Sequence, residues 1–452
     1  MKNLETLLKD YADHVAERAT KGIPPLPLNA EQTNCITKLL EQDSTYDSSY
    51  LLDLLINRVP PGVDEAAYVK ASWLTAIVNS EKYCKSINPE KAIEILGTMI
   101  GGYNVNSLVE ILKGENNLLA QKAAKVLKNI ILVYDSANEI YELSQNNIYA
   151  KEVVNSWAKA EWFQNKKILE KEITCLVFKV DGETNTDDLS PAVHATTRPD
   201  IPMHALAMLE FKKPDGIKIL DDLKKQNLPI AYVGDVVGTG SSRKSAINSL
   251  IWHIGEDIPF VPNKKTGGII IGGKIAPIFF NTAQDSGALP IEADVSHMKT
   301  GDVIKIYPYK GIIKKIEKDS NTEELISKFE LYPSTLTDEI QAGGRINLMI
   351  GRSLTDKIRN KLDFQPSEIF IRPQNPTGSN SGFTQAQKIV GKACGLDGVR
   401  PGMTCEPIMT TVGSQDTTGP MTRDELKELA CLGFTADLVM QSFCHTAAYP
   451  KP

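Results

Sequence analysis

Apolar residues recur every three or four positions through residues 1–165, a spacing that predicts one amphipathic helix after another. In the first run, Leu4, Leu8 and Tyr11 fall on one face, and the proline-rich stretch at 23–27 ends the helix. Similar patterns follow at 30–41, 50–58, 64–79, 90–100, 106–113, 118–134, 136–144 and 149–163.

Two parts of this helical region resemble each other. Residues 51–55 followed by 67–71 have a pattern of apolar residues similar to that of residues 108–112 followed by 120–124. Paired helices of this kind predict a HEAT-like α-solenoid, an architecture that commonly offers a surface to partners. Because only two copies are visible, a plain helical bundle is an equally good interpretation.

The hydrophobic pattern changes after residue 165, where short apolar runs alternate with polar loops and a few helices. Ile173–Val180 has the pattern of a buried strand and is followed by a polar stretch, 181–191. Pro308 and Gly311 indicate a hairpin. Residues 166–370 are therefore predicted to be a mixed α/β domain with a helix at 353–362 and strands at 229–233, 268–272, 303–308, 311–316 and 327–331.

A stretch rich in proline, asparagine, serine and glycine, 372–382, marks the next boundary. Helix patterns follow at 383–394 and 422–430. Residues 371–452 are therefore interpreted as a linker and the incomplete beginning of a third, α/β domain, because so short a segment has little core of its own.

The segment with the clearest chemistry is 230–246, where an apolar strand at 230–233, a glycine-rich turn at 234–240 and a helix start follow one another. Ser241 and Ser242 occupy the position of a helix N-cap. Glycines allow a ligand close to the backbone, and the first N–H groups of a helix attract anions. Arg243 in the first turn opposes the helix dipole unless it faces a negative ligand, so the segment predicts a carboxylate or phosphate site. Neither a Walker loop nor a dinucleotide-binding glycine spacing is present.

Composition and charge narrow the function classes. The net charge of −6 gives no general attraction to nucleic acid or anionic membranes. The seven cysteines are scattered and contain no Cys-x-x-Cys, a usage that favours reduced thiols in the cytoplasm. The N-terminus lacks the apolar centre of a signal peptide, and no run approaches membrane-spanning length.

Three segments together are similar to the aconitase superfamily. Residues 238–243, Gly-Thr-Gly-Ser-Ser-Arg, resemble its serine signature, and 184–190 followed by Arg198 resemble its swivel-domain loop and substrate arginine. Residues 413–419 resemble the first substrate loop of its cluster-binding half. The order, with a helical domain first and a swivel domain second, resembles the bacterial B type, and the likeness extends over about half of that type's chain.

The resemblance implies an aconitate hydratase that interconverts citrate and isocitrate through cis-aconitate and also dehydrates 2-methylisocitrate. It implies that Ser241 is the general base and that Arg198, Ser242 and Arg243 bind substrate carboxylates. By the same match, three residues line the pocket from the cluster side and His445 is a possible active-site residue beside Cys444. Those three residues are Gln415, Asp416 and Thr417.

Two neighbouring carboxylates in the swivel-type loop, Asp187 and Asp188, allow two interpretations. They could be an acid/base pair, but a role in capping a turn is the better interpretation. The resemblance also implies a [4Fe–4S] cluster, and none of the seven cysteines matches the family's ligands. We therefore expect this chain alone to lack aconitase activity.

Two other classes remain open. The family's helical domain is associated with homodimerisation and, with the swivel domain, with binding of mRNA, so a cluster-free regulatory module is one alternative. The other is a relative of the swivel subunit of isopropylmalate isomerase, against which the long helical N-terminus and the loop at Gln415 argue.

Overall fold

The computed structural model describes residues 4–42, 46–317, 322–373, 376, 378, 380–403, 405–415 and 436–442. The side chains of Glu5, Ser414, Gln415 and Gln441 lie outside that description. Among these residues, no helix is both long and apolar enough to cross a membrane.

Helices form the first part of the chain, as the periodicity predicts. Their starts follow from local chemistry, because the side chain of the N-cap residue accepts a hydrogen bond from a first-turn N–H at Asn29, Asp64, Asn88 and Asn147. The helices are α1 (Leu4–Thr20), α2 (Ala30–Glu41), α3 (Ser48–Asn57), α4 (Glu65–Val78), α5 (Pro89–Leu96), α6 (Tyr103–Lys113), α7 (Asn117–Leu127), α8 (Ser136–Leu143), α9 (Ile148–Ala158) and α10 (Glu161–Gln164).

Helices α1 to α9 bury their apolar faces in one continuous core. Leu55, Leu74, Leu108 and Leu127 are completely buried within it, and the indole of Trp157 donates to the Leu127 carbonyl at 3.1 Å. A later helix, Arg345–Lys361, adds Leu354 and Ile358 to the same core. The sequence pattern predicts this helix only from 353. It does not indicate that the helix packs against the helical region.

A seven-stranded sheet forms the second part of the chain. Its strands are β1 (Ile173–Asn185), β2 (Ile230–Thr239), β5 (Ile269–Ile275), β6 (Leu289–Glu292), β7 (Val303–Tyr307), β8 (Ile312–Ile316) and β9 (Glu323–Lys328). The spatial order is β6-β5-β2-β1-β7-β8-β9. From β6 to β1 the neighbours are parallel, and from β1 to β9 they are antiparallel. Two short strands, β3 (Glu256–Asp257) and β4 (Lys265–Thr266), pair separately.

Both faces of this sheet are buried, in keeping with its parallel half. One face carries a core centred on Phe178, Tyr232 and Ile270, and the other carries Val177, Val233 and Ile271. The remaining helices are α11 (Thr186–Leu189), α12 (Ile201–Ala205), α13 (Gly216–Lys224), α14 (Arg243–Ile254), α15 (Pro277–Asp285), α16 (Leu336–Ala342), α17 (Arg345–Lys361) and α18 (Gln385–Ala393).

Two expectations for the sheet domain were wrong in detail. The stretch 181–191 was predicted to be a polar loop and 234–240 a turn, yet β1 continues to Asn185 and β2 to Thr239. The strands stay paired because β-bulges between Val180 and Glu183 and at Thr184–Asn185 absorb the irregular register. The hairpin predicted at 308–311 is confirmed by the antiparallel pairing of β7 with β8.

After α18, β10 (Thr411–Gln415) and β11 (Leu438–Ser442) form a parallel pair separate from the large sheet. The helix predicted at 422–430 lies outside the described residues.

Candidate active site at the start of α14

The serine turn, residues 238–242, covers the end of β2 and leads into α14. Ser242 is the N-cap residue of α14, and Ser241 is exposed at the preceding position. Gly238 and Gly240 have φ values of +82° and +104°, which side-chain-bearing residues rarely adopt. The segment therefore presents Ser241 outward, at the N-terminal end of α14.

Close packing on both sides fixes this turn. A Cβ atom on Gly238 would lie 2.1 Å from Cγ of the buried Phe279, and one on Gly240 would lie 2.5 Å from Oγ1 of Thr186. Thr186, the first residue of α11, accepts a hydrogen bond from the Ser242 N–H at 3.2 Å. The turn thus rests against α11 and α15, and only glycine fits at these two positions.

Arg198 reaches the start of α14 from the loop between β1 and α12. Its Nη2 donates to the Ser242 hydroxyl and to the Ser190 carbonyl, both at 3.2 Å. Burial lowers the pKa of Arg198, and the nearby Asp187 carboxylate opposes that shift. A half-buried guanidinium beside a serine at the N-terminus of a helix is suited to binding a carboxylate.

Arg243 extends from the first turn of α14 and is exposed. Its Nη1 donates to the Ser241 carbonyl at 3.3 Å, so the side chain folds back over the turn. The Arg198 guanidinium therefore contacts Ser242, and the Arg243 guanidinium contacts Ser241. The positive charge that the helix dipole disfavours at this position is available to an anion.

The carboxylates at 187 and 188 have different positions. Asp188 forms a capping box with Asn185: its carboxylate accepts from the Asn185 N–H at 2.9 Å, and its own N–H donates back at 2.8 Å. This confirms the capping interpretation for Asp188. Asp187 is exposed and interacts with Arg198 through its charge, so the two do not form an acid/base pair.

A buried hydrogen-bond network that the sequence did not reveal lies behind these residues. The His204 ring contacts the Ser190 hydroxyl at 2.7 Å through Nε2 and the Thr197 hydroxyl at 2.9 Å through Nδ1. Ser190 donates to the Ser245 hydroxyl at 2.7 Å, and Ser245 donates to the Ser242 carbonyl at 3.1 Å. Through Ser190 and Thr197, His204 contacts the segment that leads to Arg198. Through Ser190 and Ser245, it is linked to the N-cap of α14.

The network assigns the proton on the His204 ring. Because the Ser190 and Ser245 hydroxyl hydrogens are both used, Nε2 donates to Ser190. The Thr197 hydroxyl donates to the His194 carbonyl at 2.8 Å and also lies 2.9 Å from Nδ1, which carries no proton in this tautomer. Burial, with the charges of Arg198 and His194, lowers the pKa of His204 to about 4. His204 is therefore neutral at physiological pH.

A second buried histidine holds the same helix. His253 of α14 contacts the Ala205 carbonyl of α12 at 2.9 Å through Nε2, and burial lowers its pKa to about 4. No local signal in the sequence identifies His204 or His253, because their partners come from other elements. Only the fold brings them together.

Four predicted site residues therefore lie together: Arg198, Ser241, Ser242 and Arg243. Gln415 ends β10, in the separate two-stranded sheet, and its side chain lies outside the description. Asp416, Thr417 and His445 also lie outside the described residues.

A cavity of about 530 Å³ lies elsewhere on the sheet, lined by Asp235, Glu292, Asp294 and Val295 among others. Val295 belongs to the core of the face opposite α14, so this cavity is distinct from the serine turn. In the described residues Ser241 is exposed at the surface.

The fold and the site define a class: a helical region joined to a mixed α/β sheet domain, with an anion-binding helix start. Comparison with known families agrees with this class. A family described as "Aconitate B N-terminal domain" matches residues 10–163, and one described as "Aconitate hydratase 2 N-terminus" matches residues 175–383.

Three curated relatives, each called aconitate hydratase B, are similar over 99% of this chain. The protein from Synechocystis sp. is 61% identical, that from Escherichia coli 57% and that from Helicobacter pylori 55%. The match covers 51%, 52% and 52% of those proteins, so the chain spans about half the length of the curated relatives it matches. The chain belongs to the aconitate hydratase B family and corresponds to its N-terminal part.

Among solved structures, a 3-isopropylmalate dehydratase from Methanocaldococcus jannaschii matches 41% of this chain and 98% of its own. The TM-score is 0.29 and the identity 21%, values too low to support an argument.

Proposed function

We propose that this chain supplies the serine base and part of the substrate pocket of an aconitate hydratase. The reaction is citrate/isocitrate isomerisation through cis-aconitate in the tricarboxylic acid cycle, with 2-methylisocitrate as a further substrate. The observation that carries the proposal is the bond from Arg198 Nη2 to the Ser242 hydroxyl, which joins the loop arginine to the serine turn.

The residues have separate tasks in this proposal. Ser241 removes the proton from the carbon next to the hydroxyl-bearing carbon. Ser242, Arg198 and Arg243 hold substrate carboxylates, for which guanidinium forks are well suited. Since a serine hydroxyl is a weak acid, the helix N–H groups and Arg243 stabilise the Ser241 oxyanion. On the other side of the substrate we place Gln415, Asp416, Thr417 and His445.

The family also implies a [4Fe–4S] cluster, which would act as a Lewis acid on the substrate. The described residues do not fit it. No three His, Cys, Asp or Glu side chains among them are grouped to hold a metal ion, and Cys35, Cys84 and Cys175 are buried at separate places in the cores. No step is therefore assigned to the cluster, and we propose that its ligands belong to the rest of the family's chain.

The helical region is proposed to be a HEAT-like solenoid, with a homodimer and mRNA as candidate partners. The contacts of its surface lysines add no support for RNA, because Lys82, Lys113 and Lys128 are each paired with glutamates. A cytoplasmic location is proposed from the cysteine usage of the sequence.

A chimera tests the catalytic proposal. Residues 1–452 would be joined to the part of the Synechocystis relative that this chain does not match, loaded anaerobically with iron and sulfide, and assayed by cis-aconitate absorbance. We expect turnover from the chimera and none from the isolated chain treated in the same way. Turnover by the isolated chain would contradict this division.

The chimera also separates the serines. We expect Ser241→Ala to lower kcat by about 10²- to 10⁴-fold with little change in KM, as for loss of a general base. Ser242→Ala should mainly raise KM, and Ser296→Ala, an exposed residue elsewhere on the domain, should change neither. A Ser241→Ala chimera with unchanged kcat would rule out the base assignment.

A further inference from the structure

The segment after α18 folds back onto that helix. The Leu396 N–H donates to the Gly391 carbonyl at 2.8 Å, and the Ile408 N–H donates to the Ala393 carbonyl at 2.8 Å. Between these contacts, Val399 N–H donates to the Gln387 carbonyl at 3.1 Å. The chain therefore leaves the end of α18 and returns to it fifteen or so positions later.

Tight packing holds this return in place. A Cβ atom on Gly391 would lie 2.4 Å from the Gly398 Cα, so helix and returning segment touch at their backbones. The guanidinium of Arg400 lies 4.0 Å from the ring centroid of Phe383, and it donates to the Gly382 carbonyl at 2.9 Å. The returning segment is thus held against α18 at Gly391 and against the residues just before α18 at Arg400.

This geometry brings two cysteines together. Cys394 is the C-cap residue of α18, and Cys405 lies three residues before the bond that returns the chain to Ala393. The two thiols are free and half-exposed, and they lie close enough for the charge of Cys405 to act on Cys394. Burial, together with the Cys405 thiol, raises the pKa of Cys394 above its ordinary value.

The other described cysteines are free as well, but they are buried. Cys35, Cys84 and Cys175 are 1%, 4% and 0% exposed and belong to the hydrophobic cores. Burial raises the pKa of Cys175 to about 12, which makes it unreactive. Within the described residues, accessible thiols occur only at 394 and 405.

We propose that Cys394 and Cys405 form a redox-active dithiol that closes to a disulfide when the chain meets hydrogen peroxide. In the first step the Cys405 thiolate attacks the peroxide, its sulfur gains an oxygen, and one water leaves after protonation. In the second step the Cys394 sulfur attacks that sulfenic acid, a sulfur–sulfur bond forms, and a second water leaves. Two thiols are thereby oxidised and one peroxide is reduced to two waters.

The order of the steps follows from the place of Cys394 at the C-terminus of α18. The negative end of the helix dipole disfavours a thiolate there, so Cys394 is suited to be the resolving thiol rather than the first to react. The proposal does not depend on the proposed function. Its site lies just before β10, at whose end the predicted pocket residue Gln415 is found.

The test uses the full 452-residue chain with Cys431 and Cys444, which lie outside the described residues, replaced by serine. The reduced protein would be treated with stoichiometric hydrogen peroxide, then alkylated and mapped by mass spectrometry without reduction. We expect a peptide that joins residues 394 and 405, a loss of two hydrogen atoms from the protein mass, and full alkylation of Cys35, Cys84 and Cys175 after denaturation.

Single variants test the order of the steps. With Cys394→Ser, the sulfenic acid at Cys405 should persist and be trapped by dimedone. With Cys405→Ser, dimedone labelling of Cys394 should be at least several-fold slower. Thermal unfolding of each reduced variant checks that the fold is kept.

Two results would overturn the proposal. One is that Cys394 and Cys405 are oxidised separately, to sulfinic acids without a joining peptide. The other is that a buried cysteine loses its thiol before this pair does. Equal dimedone labelling in the two variants would overturn the assigned order of attack.

Discussion

The guanidinium of Arg198 donates to the hydroxyl of Ser242 at 3.2 Å, across 44 positions of sequence. The same Nη2 atom donates to the carbonyl of Ser190, so one nitrogen joins the end of β1's loop to the start of α14. An arginine held in this way is oriented before a ligand arrives, so binding costs little side-chain entropy.

Replacement of Arg198 by lysine should separate position from charge. We expect Arg198→Lys to raise KM for citrate in the chimera by about tenfold or more, because an ammonium cannot hold both acceptors and a carboxylate fork together. The free energy of unfolding should change by less than about 1 kcal/mol, since the residue is only half-buried. Arg372→Lys, in an exposed ion pair with Asp356, is the matched control and should leave KM unchanged. An unchanged KM in Arg198→Lys would argue against a substrate contact.

Gly238 and Gly267 form a natural pair for testing the serine turn. Both have a left-handed backbone, with φ of +82° and +79°, but a Cβ on Gly238 meets Phe279 whereas one on Gly267 meets nothing within 4 Å. Gly267→Ala should cost about 1 kcal/mol of backbone strain. Gly238→Ala should cost at least about 3 kcal/mol, because overpacking adds to that strain. Urea denaturation measures both, and equal costs would show that the contact with Phe279 is unimportant.

Acid should destabilise the fold through His204 and His253. Their folded pKa is about 4, below the ordinary value of 6.5, so the unfolded chain binds more protons between these pH values. The contribution of each histidine to the free energy of unfolding is therefore fully present above about pH 6.5. It is lost as the pH falls toward about 4, by roughly 3 kcal/mol for each histidine. Urea midpoints at intervals between about pH 5 and 7 should show this slope.

The variants His204→Asn and His253→Gln should each flatten that slope. His204→Asn should also cost about 1–3 kcal/mol at neutral pH, because Ser190 and Thr197 lose a buried partner. The exposed His297→Asn should change neither the slope nor the stability. A wild-type slope in both buried-site variants would mean that other groups control the acid transition.

Lys70, in the helical region, predicts a pH dependence of stability with the same sign in the alkaline range. Its side chain is 1% exposed, its Nζ donates to the Ile56 carbonyl and to the Thr98 hydroxyl at 3.3 Å, and burial lowers its pKa to about 7. The unfolded chain keeps the proton up to its ordinary pKa of 10.5, so it binds more protons between pH 7 and 10.5. Wild-type stability should therefore rise with pH above about 7.

Lys70→Met should remove this dependence. We expect it to raise the free energy of unfolding at pH 7 by about 1–3 kcal/mol, because a buried amine is replaced by an apolar chain of similar length. The exposed Lys85→Met serves as the control and should have no such effect. A Lys70→Met protein less stable than wild type at every pH would show that the two hydrogen bonds outweigh the burial of charge.

Local signals in the sequence were enough for much of the architecture. The helices of the first region follow from period and N-cap residues such as Asn29 and Asn88, whose effects act within one turn. The serine turn followed from Gly238, Gly240 and the two serines, again all within a few positions. The resemblance then supplied Arg198, which no local pattern distinguishes.

The support behind the site could not be predicted, because it depends on distant contacts. Ser190 and Ser245 are 55 positions apart, and their hydroxyls meet only after β1, β2 and α14 are assembled. The continuation of β1 past Val180 was missed for a related reason: a polar sequence is tolerated there because the neighbouring strand supplies the pairing. Residues that act by contacting their own neighbours were predictable, and those that act through the fold were not.

One ion pair changes how the first helix should be viewed. Arg18 of α1 is almost fully buried and pairs with Asp200, whose carboxylate also caps α12, the helix that carries His204. Helix α1 therefore holds the segment that joins Arg198 to α12, in addition to packing in the helical core. Removal of α1 would therefore loosen the position of Arg198, which lies far later in the chain, even with every residue of the serine turn intact.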